Sequence, residues 1–215
     1  MLSWNIRGLG RVDKRRAVRN LVFSIKPIVL FIQETKLKQF DSRVVKSLGG
    51  TLLSKGIRVD AVGSARGLLT LWNEKFFEVR ACISNDRCLI VFGMLTKSQR
   101  VVNFCTVYAD NQERGRVELW KYILEAQAAL HGPWHVLYMD QQQGHHFLGK
   151  LDRFLCDPLF LSWFPGLVQK GLGKSLSDHN QVMIGEPGDN WGPRPFRFLN
   201  GWLEDKGMME GVRES

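Results

Sequence analysis

The sequence contains four cysteines, Cys82, Cys88, Cys105 and Cys156, and no two of them form a C-x-x-C pair. That absence speaks against a zinc ribbon or a thioredoxin-type redox motif. All four sit in apolar stretches, the setting of buried free thiols in an intracellular protein. No apolar run approaches the length of a membrane span, and no signal peptide precedes the first motif. The expectation is therefore a soluble, intracellular chain that makes no use of a membrane. Internal repeats and low-complexity tracts are also missing. Acidic charge is in short supply: 21 Asp and Glu face 30 Lys and Arg, for a net charge of +9 and a pI near 9.6. Such a balance suits a polyanionic partner, because each cation laid against a phosphate releases condensed counterions.

What is present fits one domain. At 215 residues, 44% of them hydrophobic, the chain can build one substantial α/β core but not two. Met1 to Ile6 reads as a short strand running into the Gly8-Leu9-Gly10 turn. Helical spacing follows at Val18, Leu21, Val22 and Ile25, ended by Pro27. The unbroken run Ile28 to Ile32 has the signature of a strand buried on both faces. Gly67–Trp72, Phe76–Ile83, Cys88–Leu95 and Val101–Tyr108 then read as four strands of an antiparallel meander. A helix is expected over 114–130 with Val117, Trp120, Ile123 and Leu124 on its buried face. His135–Met139, Leu151–Cys156 and Gln181–Ile184 are further strands, and the text after Gly185 is rich in Gly and Pro. Strand-helix-strand units on either side of a meander predict a layered α/β domain, two sheets packed face to face with helices outside.

Polar residues gather where these strands end: Asn5, Glu34, Tyr108, Asp140 and the pair Asp178-His179. Strand ends on one edge of a layered fold converge into a crevice, so residues distant in sequence can meet there. Carboxylate and amide oxygens are the ligands Mg²⁺ prefers. A nearby Asp could orient a water, and a His held by a second carboxylate could act on a phosphate or leaving group. Taken singly, each is better read as a turn former, a first solvated residue or a helix cap. Only the set points to phosphodiester hydrolysis.

The set also resembles a known family. Ser3-Trp4-Asn5-Ile6-Arg7-Gly8 is similar to the opening motif of the endonuclease/exonuclease/phosphatase superfamily, specifically the apurinic-endonuclease-like domain of plant LINE retrotransposons. Phe31-Ile32-Gln33-Glu34-Thr35-Lys36 resembles the second motif, Gly67 to Trp72 the glycine-led strand after it, and Thr106-Val107-Tyr108 the Asn-Val-Tyr motif. Leu151 to Leu155 and Leu176-Ser177-Asp178-His179 resemble the last two motifs. Trp191 to Phe198 resembles the segment that joins this domain to a reverse transcriptase. The resemblance implies a two-sheet α/β sandwich over residues 1–185, incomplete through an internal deletion, with 186–215 as a connecting segment.

By the same resemblance Asn5, Glu34 and Asp178 hold Mg²⁺, or Mn²⁺ in its place. Tyr108 contacts the scissile phosphate, Asp140 orients the attacking water, and Asp152 holds His179, which stabilises charge on the phosphate. Arg7, Arg11, Lys14 and Arg15, with Arg16 and Arg19 beyond them, form a DNA-facing rim. The implied protein is a monomer that nicks duplex DNA in the nucleus and was once fused to a reverse transcriptase.

The pattern also departs from its family. Met139-Asp140-Gln141-Gln142 stands where relatives have Gly-Asp-Phe-Asn, and Ala109-Asp110 follows the Tyr in place of Gly-Pro. A Gln amide is carried about one bond further out, and errors on the order of 1 Å can cost about a hundredfold in rate. The link between Asp140 and Asp152 is tens of residues shorter than in relatives, and it contains His145-His146, read as an exposed loop. Two other readings therefore stand beside the nuclease: a catalytically inactive DNA-binding remnant, and a phosphoesterase acting on small phosphorylated substrates.

Overall fold

Two strand-helix-strand units organise the chain. The computed structural model describes residues 1–38, 42–63, 65–108, 112–139, 152–173 and 176–186. In the first unit, β1 (Leu2–Asn5) and β2 (Val29–Gln33) pair in parallel through the helix α1 (Val12–Ile25). Parallel strands cannot be joined by a tight turn, so the crossover helix is obligatory. α2 (Ser42–Gly49), β3 (Lys55–Val59) and β4 (Leu68–Trp72) follow, then β5 (Phe77–Ser84) and β6 (Cys88–Leu95). The second unit repeats the device: β7 (Arg100–Val107) and β8 (Trp134–Met139) run parallel around α3 (Glu113–Ala129). β9 (Asp152–Cys156), α4 (Pro158–Trp163), β10 (Val168–Gly171) and β11 (Val182–Gly185) complete the described chain.

One sheet has the order β10-β11-β1-β2-β4-β3 and the other β5-β6-β7-β8-β9, so each parallel pair lies inside its own mixed sheet. The two-sheet α/β sandwich with flanking helices is thus the one the sequence predicts.

Side-chain alternation sorts the core into three bodies. In β2, Val29 and Phe31 face the other sheet while Leu30 and Ile32 face the layer under α1 and α2. In β7, Val102 and Phe104 face inward, and Cys105 and Val107 face α3. The inner layer is aromatic: Phe31 meets Phe104 and Phe154 edge-on at 5.9 and 6.0 Å, and Phe77 meets Phe104 at 4.9 Å. Thr70 and Thr106 bring their hydroxyls to 3.3 Å across the two sheets.

The structure corrects three expectations. β4 is not part of the meander; it pairs with β2 and β3 in the first sheet. Its five residues are all buried, which marks a strand covered on both faces, and the turn at Asn73 carries the chain across to β5. The buried stripe of α3 is Gly115, Leu119, Ile123 and Ala126, whereas Val117 and Leu124 are 61% and 63% exposed. Spacings of four, four and three keep that stripe on one face, and Val117 lies half a turn from it. Of the cysteines Cys88 and Cys105 are buried, but Cys82 is exposed on β5 and Cys156 is half-buried. The sequence reading also passed over α2, β3, α4 and β10.

Asp140, the Ala109-Asp110 step, Gln141, Gln142 and His145-His146 lie outside the described residues, as does the expected connecting segment beyond Glu186.

Two outcomes follow from this packing. Leu119→Ala should cost about 2–5 kcal/mol in denaturant melts, and Val117→Ala under about 0.5. The second concerns His135, which is fully buried among Phe104, Phe154 and Phe160 with ring centroids 5.0–5.9 Å away. Neither of its nitrogens has a hydrogen-bond partner among the described residues. Burial is the chief cause that lowers its pKa from 6.5 to about 3. The unfolded chain therefore takes up the proton first, and stability present above pH 6.5 is lost as pH falls toward 3, at up to about 1.4 kcal/mol per pH unit. His135→Leu should flatten that limb of a stability-pH profile; an unchanged acid slope would contradict this account.

Candidate functional site

The parallel register of β1 and β2 sets Asn5 beside Gln33 and puts both on the inner face, with Ser3 and Phe31 one step behind. Ser3 Oγ and Gln33 Nε2 lie 3.2 Å apart, so this row is polar as it nears the sheet edge. Beyond the strands the pairing continues into the loops. Ile6, Gly8 and Leu9 donate their backbone N–H groups to the carbonyls of Gln33, Glu34 and Thr35 at 3.2, 2.7 and 2.8 Å. The two loops are thereby zipped together, and Asn5 Nδ2 donates to Glu34 Oε1 at 2.8 Å. Asn5 Oδ1 accepts from the Arg7 backbone N–H at 3.1 Å.

This arrangement uses left-handed backbone at residues with side chains. Arg7, Glu34 and Lys36 have φ of 47°, 49° and 53°. Each such residue costs on the order of 1–3 kcal/mol and persists only where its surroundings hold it. For Glu34 the holder is the start of β4: Thr35 and Lys36 donate to the Gly67 and Arg66 carbonyls at 3.0 and 3.1 Å. Gly67 itself has φ +89°, and a Cβ there would stand 2.2 Å from Thr35 Oγ1. No other residue type fits that position unstrained.

The segment before β11 closes the site from the other side. Ser177 Oγ donates to the Asn5 carbonyl at 2.7 Å, and the His179 backbone N–H donates to Ser177 Oγ at 3.3 Å. Asp178 reaches Arg7 in an ion pair of 2.7 Å. Asn5, Glu34, Arg7 and Asp178 thus form one connected group, with His179 buried beside it. Tyr108 follows β7, half-buried, with its N–H on the Arg87 carbonyl at 2.8 Å. Asp152 opens β9 directly opposite Met139, the last residue of β8. Because β7 and β8 are parallel and β9 antiparallel to them, Tyr108, Met139 and Asp152 share one edge of the second sheet.

The basic residues of the expected rim divide. Arg11 forms a bidentate pair with Asp13 at 2.7 and 3.0 Å, and that partner lowers the Asp13 pKa. Lys14 Nζ donates to the Ile6 and Arg7 carbonyls at 2.6 and 2.9 Å. Burial, then the charges of Arg11 and Lys36, lowers its pKa. Lys14 is therefore a brace for the site loop, a role the sequence reading did not assign. Arg15 faces away, into a groove between α1 and α2.

Two oxygen-bearing side chains in contact, Asn5 and Glu34, are a donor set suited to a hard divalent cation, since Mg²⁺ takes one or two carboxylates and keeps several waters. Among the described residues no group of three or more His, Cys, Asp and Glu side chains is gathered tightly enough to hold a metal alone. Lys36 Nζ lies 3.7 Å from Glu34 Oε2.

Residues 2–137 match the sequence pattern of the Endonuclease/Exonuclease/phosphatase family. No curated protein matches the chain at the sequence level. Among solved structures, the AP endonuclease LMAP from Leishmania major superposes with a TM-score of 0.59 at 15% identity, over 85% of this chain and 86% of that one. Truncated TDP2 from Caenorhabditis elegans gives 0.57 at 16% identity, over 84% and 94%. A conserved protein of unknown function from Enterococcus faecalis V583 gives 0.61 at 14% identity, over 87% and 100%. Enzymes of this family generally use divalent metals. Among the described residues no helix is long and apolar enough to cross a membrane. With a family pattern covering well over half its length and the matching two-sheet fold, the chain belongs to the Endonuclease/Exonuclease/phosphatase family.

Proposed function

We propose that the chain is a Mg²⁺-dependent endonuclease that nicks duplex DNA, of the kind carried by LINE-type retrotransposons. The observation that carries this reading is the Asn5–Glu34 pair at 2.8 Å, held at a strand edge that Asp178 and His179 also reach. Glu34, Asn5 and Asp178 would hold the ion. Bound there, Mg²⁺ supplies charge neutralisation for a phosphodiester under attack. Tyr108, at the end of β7, donates its hydroxyl to a phosphate oxygen. Asp152 is assigned to hold His179 by the resemblance alone, and the His179 imidazole would stabilise the charge that develops. Asp140 follows β8 and orients the water. Family membership and the net charge of +9 support a polyanionic phosphodiester as substrate.

The Arg7–Asp178 pair is about half exposed, and exposed pairs contribute only about 0–1 kcal/mol. It can therefore yield to a divalent ion. The same pair, with Lys36 near Glu34, favours a second reading: a DNA-binding relative whose ligands are already neutralised from within.

Nicking of supercoiled plasmid separates the two. The nuclease reading expects relaxed circles in Mg²⁺, none with a chelator, and a loss of at least about a hundredfold in Glu34→Ala. Mg²⁺-independent nicking, or full activity in Glu34→Ala, would reject the site assignment. A folded protein that binds the plasmid without cutting it selects the second reading. Hydrolysis of a small chromogenic phosphodiester but not of DNA would select a small-substrate phosphoesterase. Gly67→Ala should destabilise by about 1–3 kcal/mol and lower kcat, because Thr35 must move and Glu34 rides on the same loop. Unchanged melting and turnover would show the loop is not braced in this way.

A further inference from the structure

Glu34 and Tyr108 belong to different sheets, and the loops that carry them are tied to each other by a pair of charged side chains. Arg66 precedes the Gly67 turn of the first sheet, and its carbonyl accepts the Lys36 N–H at 3.1 Å, two residues after Glu34. Asp86 lies in the turn between β5 and β6 of the second sheet. The residue after it, Arg87, accepts the Tyr108 N–H on its own carbonyl at 2.8 Å. The Arg66 guanidinium pairs with the Asp86 carboxylate. A run of contacts therefore passes from the Glu34 loop through Arg66 and Asp86 to Tyr108, crossing from one sheet to the other.

Both ends of this run are anchored. Arg66 has φ of 67°, a left-handed backbone that a residue with a Cβ keeps only where its surroundings hold it. Its side chain is 20% exposed, against 49% for that of Asp86. On the far side the Arg87 N–H donates to Asn85 Oδ1 at 2.8 Å, and the Asn85 N–H donates to the Cys88 carbonyl at 3.0 Å, which closes the turn. Arg87 Nη1 also reaches the Gly115 carbonyl in the first turn of α3 at 3.3 Å.

We infer that Arg66 and Asp86 are positioning residues for phosphodiester cleavage, their ion pair holding Glu34 and Tyr108 in register across the cleft. The inference rests on the nuclease reading and deepens it. In that reading Glu34 acts on the phosphate through the ion and Tyr108 acts on it directly, so their relative placement enters the rate. A displacement on the order of 1 Å can cost about a hundredfold. Folding gains little from an ion pair this exposed, and the two sheets are already joined by Phe31, Phe104 and the Thr70–Thr106 contact. Placement of the two loops is what the pair adds.

The test measures single-turnover nicking of a short duplex in Mg²⁺, with affinity for the duplex and melting recorded separately. Amide hydrogen exchange at Lys36 and Tyr108 reports on the two loops without reference to activity. The proteins are wild type, Asp86→Asn, the reversed pair Arg66→Asp/Asp86→Arg, and the control Glu118→Gln, which breaks an exposed ion pair on α3. Asp86→Asn should lower the nicking rate by about ten- to a hundredfold. Its duplex binding should be no weaker, because an acidic charge has been removed from a protein facing a polyanion. Melting should shift by about 3 °C or less. Exchange at Lys36 and Tyr108 should quicken together by about two- to fivefold, the range an exposed ion pair can impose. The reversed pair should regain most of the rate and the protection, since Asp tolerates left-handed backbone at position 66. Glu118→Gln should match wild type.

A rate in Asp86→Asn within about twofold of wild type overturns the inference. So does a loss that follows weaker binding or lowered melting, or one that the reversed pair does not recover, since either marks a purely structural contact. The two proposals fail separately. Nicking that needs Glu34 but is indifferent to Asp86→Asn keeps the nuclease and sinks the tie. Without nicking by wild type the nuclease reading fails, and exchange judges the tie between the loops: amides that quicken together keep it, and amides that do not overturn it.

Discussion

The site depends on one run of backbone pairing, the parallel ladder between β1 and β2 that does not stop where the strands do. Three more N–H groups, from Ile6, Gly8 and Leu9, carry it into the loops. A strand end is usually where a chain gains freedom. Here it loses freedom, and Asn5 and Glu34 are fixed to each other because their backbones are fixed first. Lys14 grips the first loop from α1, and the Gly67 turn grips the second from β4. Left-handed backbone at Arg7 and Glu34 is sustained by that grip, so helix, sheet and glycine turn all hold the same few atoms in place.

The second half of the fold repeats the first half's logic, with β7, α3 and β8 in place of β1, α1 and β2. Each parallel pair directs its strand ends toward one edge, and the edge-on packing of Phe31 against Phe104 and Phe154 joins the two sheets between them. The aromatic layer therefore determines distance across the cleft. An apolar cavity of about 200 Å³, lined by Phe104, Phe160 and Ile184 among others, lies at the opposite ends of the same strands.

Elements that bury a full face were legible in the sequence. β2 and β6 are dense in β-branched and apolar residues, and α1 has its periodicity and its terminating Pro27. β3 and β10 were not, because an edge strand such as Lys-Gly-Ile-Arg-Val only half-buries its two apolar residues, too short an alternation to stand out. The α3 face was misassigned for a related reason: Val117 and Leu124 are apolar, but Gly115 and Ala126 are the residues small enough for α3 to sit close to the sheet. At the site, residue types and their order could be read, since strand ends follow from strands. The partners could not. That Arg7 would turn to Asp178, Arg11 to Asp13 and Lys14 to two carbonyls depends on side-chain directions that only the assembled loops define.

The Met139–Asp152 pairing bears on how such a domain can change over time. The two ends of the link are already neighbours, so the sheet imposes no span that the intervening residues must bridge. Closure entropy varies only with the logarithm of length, about 0.6 kcal/mol for each doubling. The β8–β9 junction is therefore a port, where sequence can be inserted or shed while the strands on either side keep their register. A lineage could change the length of the link there and leave the Asn5–Glu34 ladder untouched.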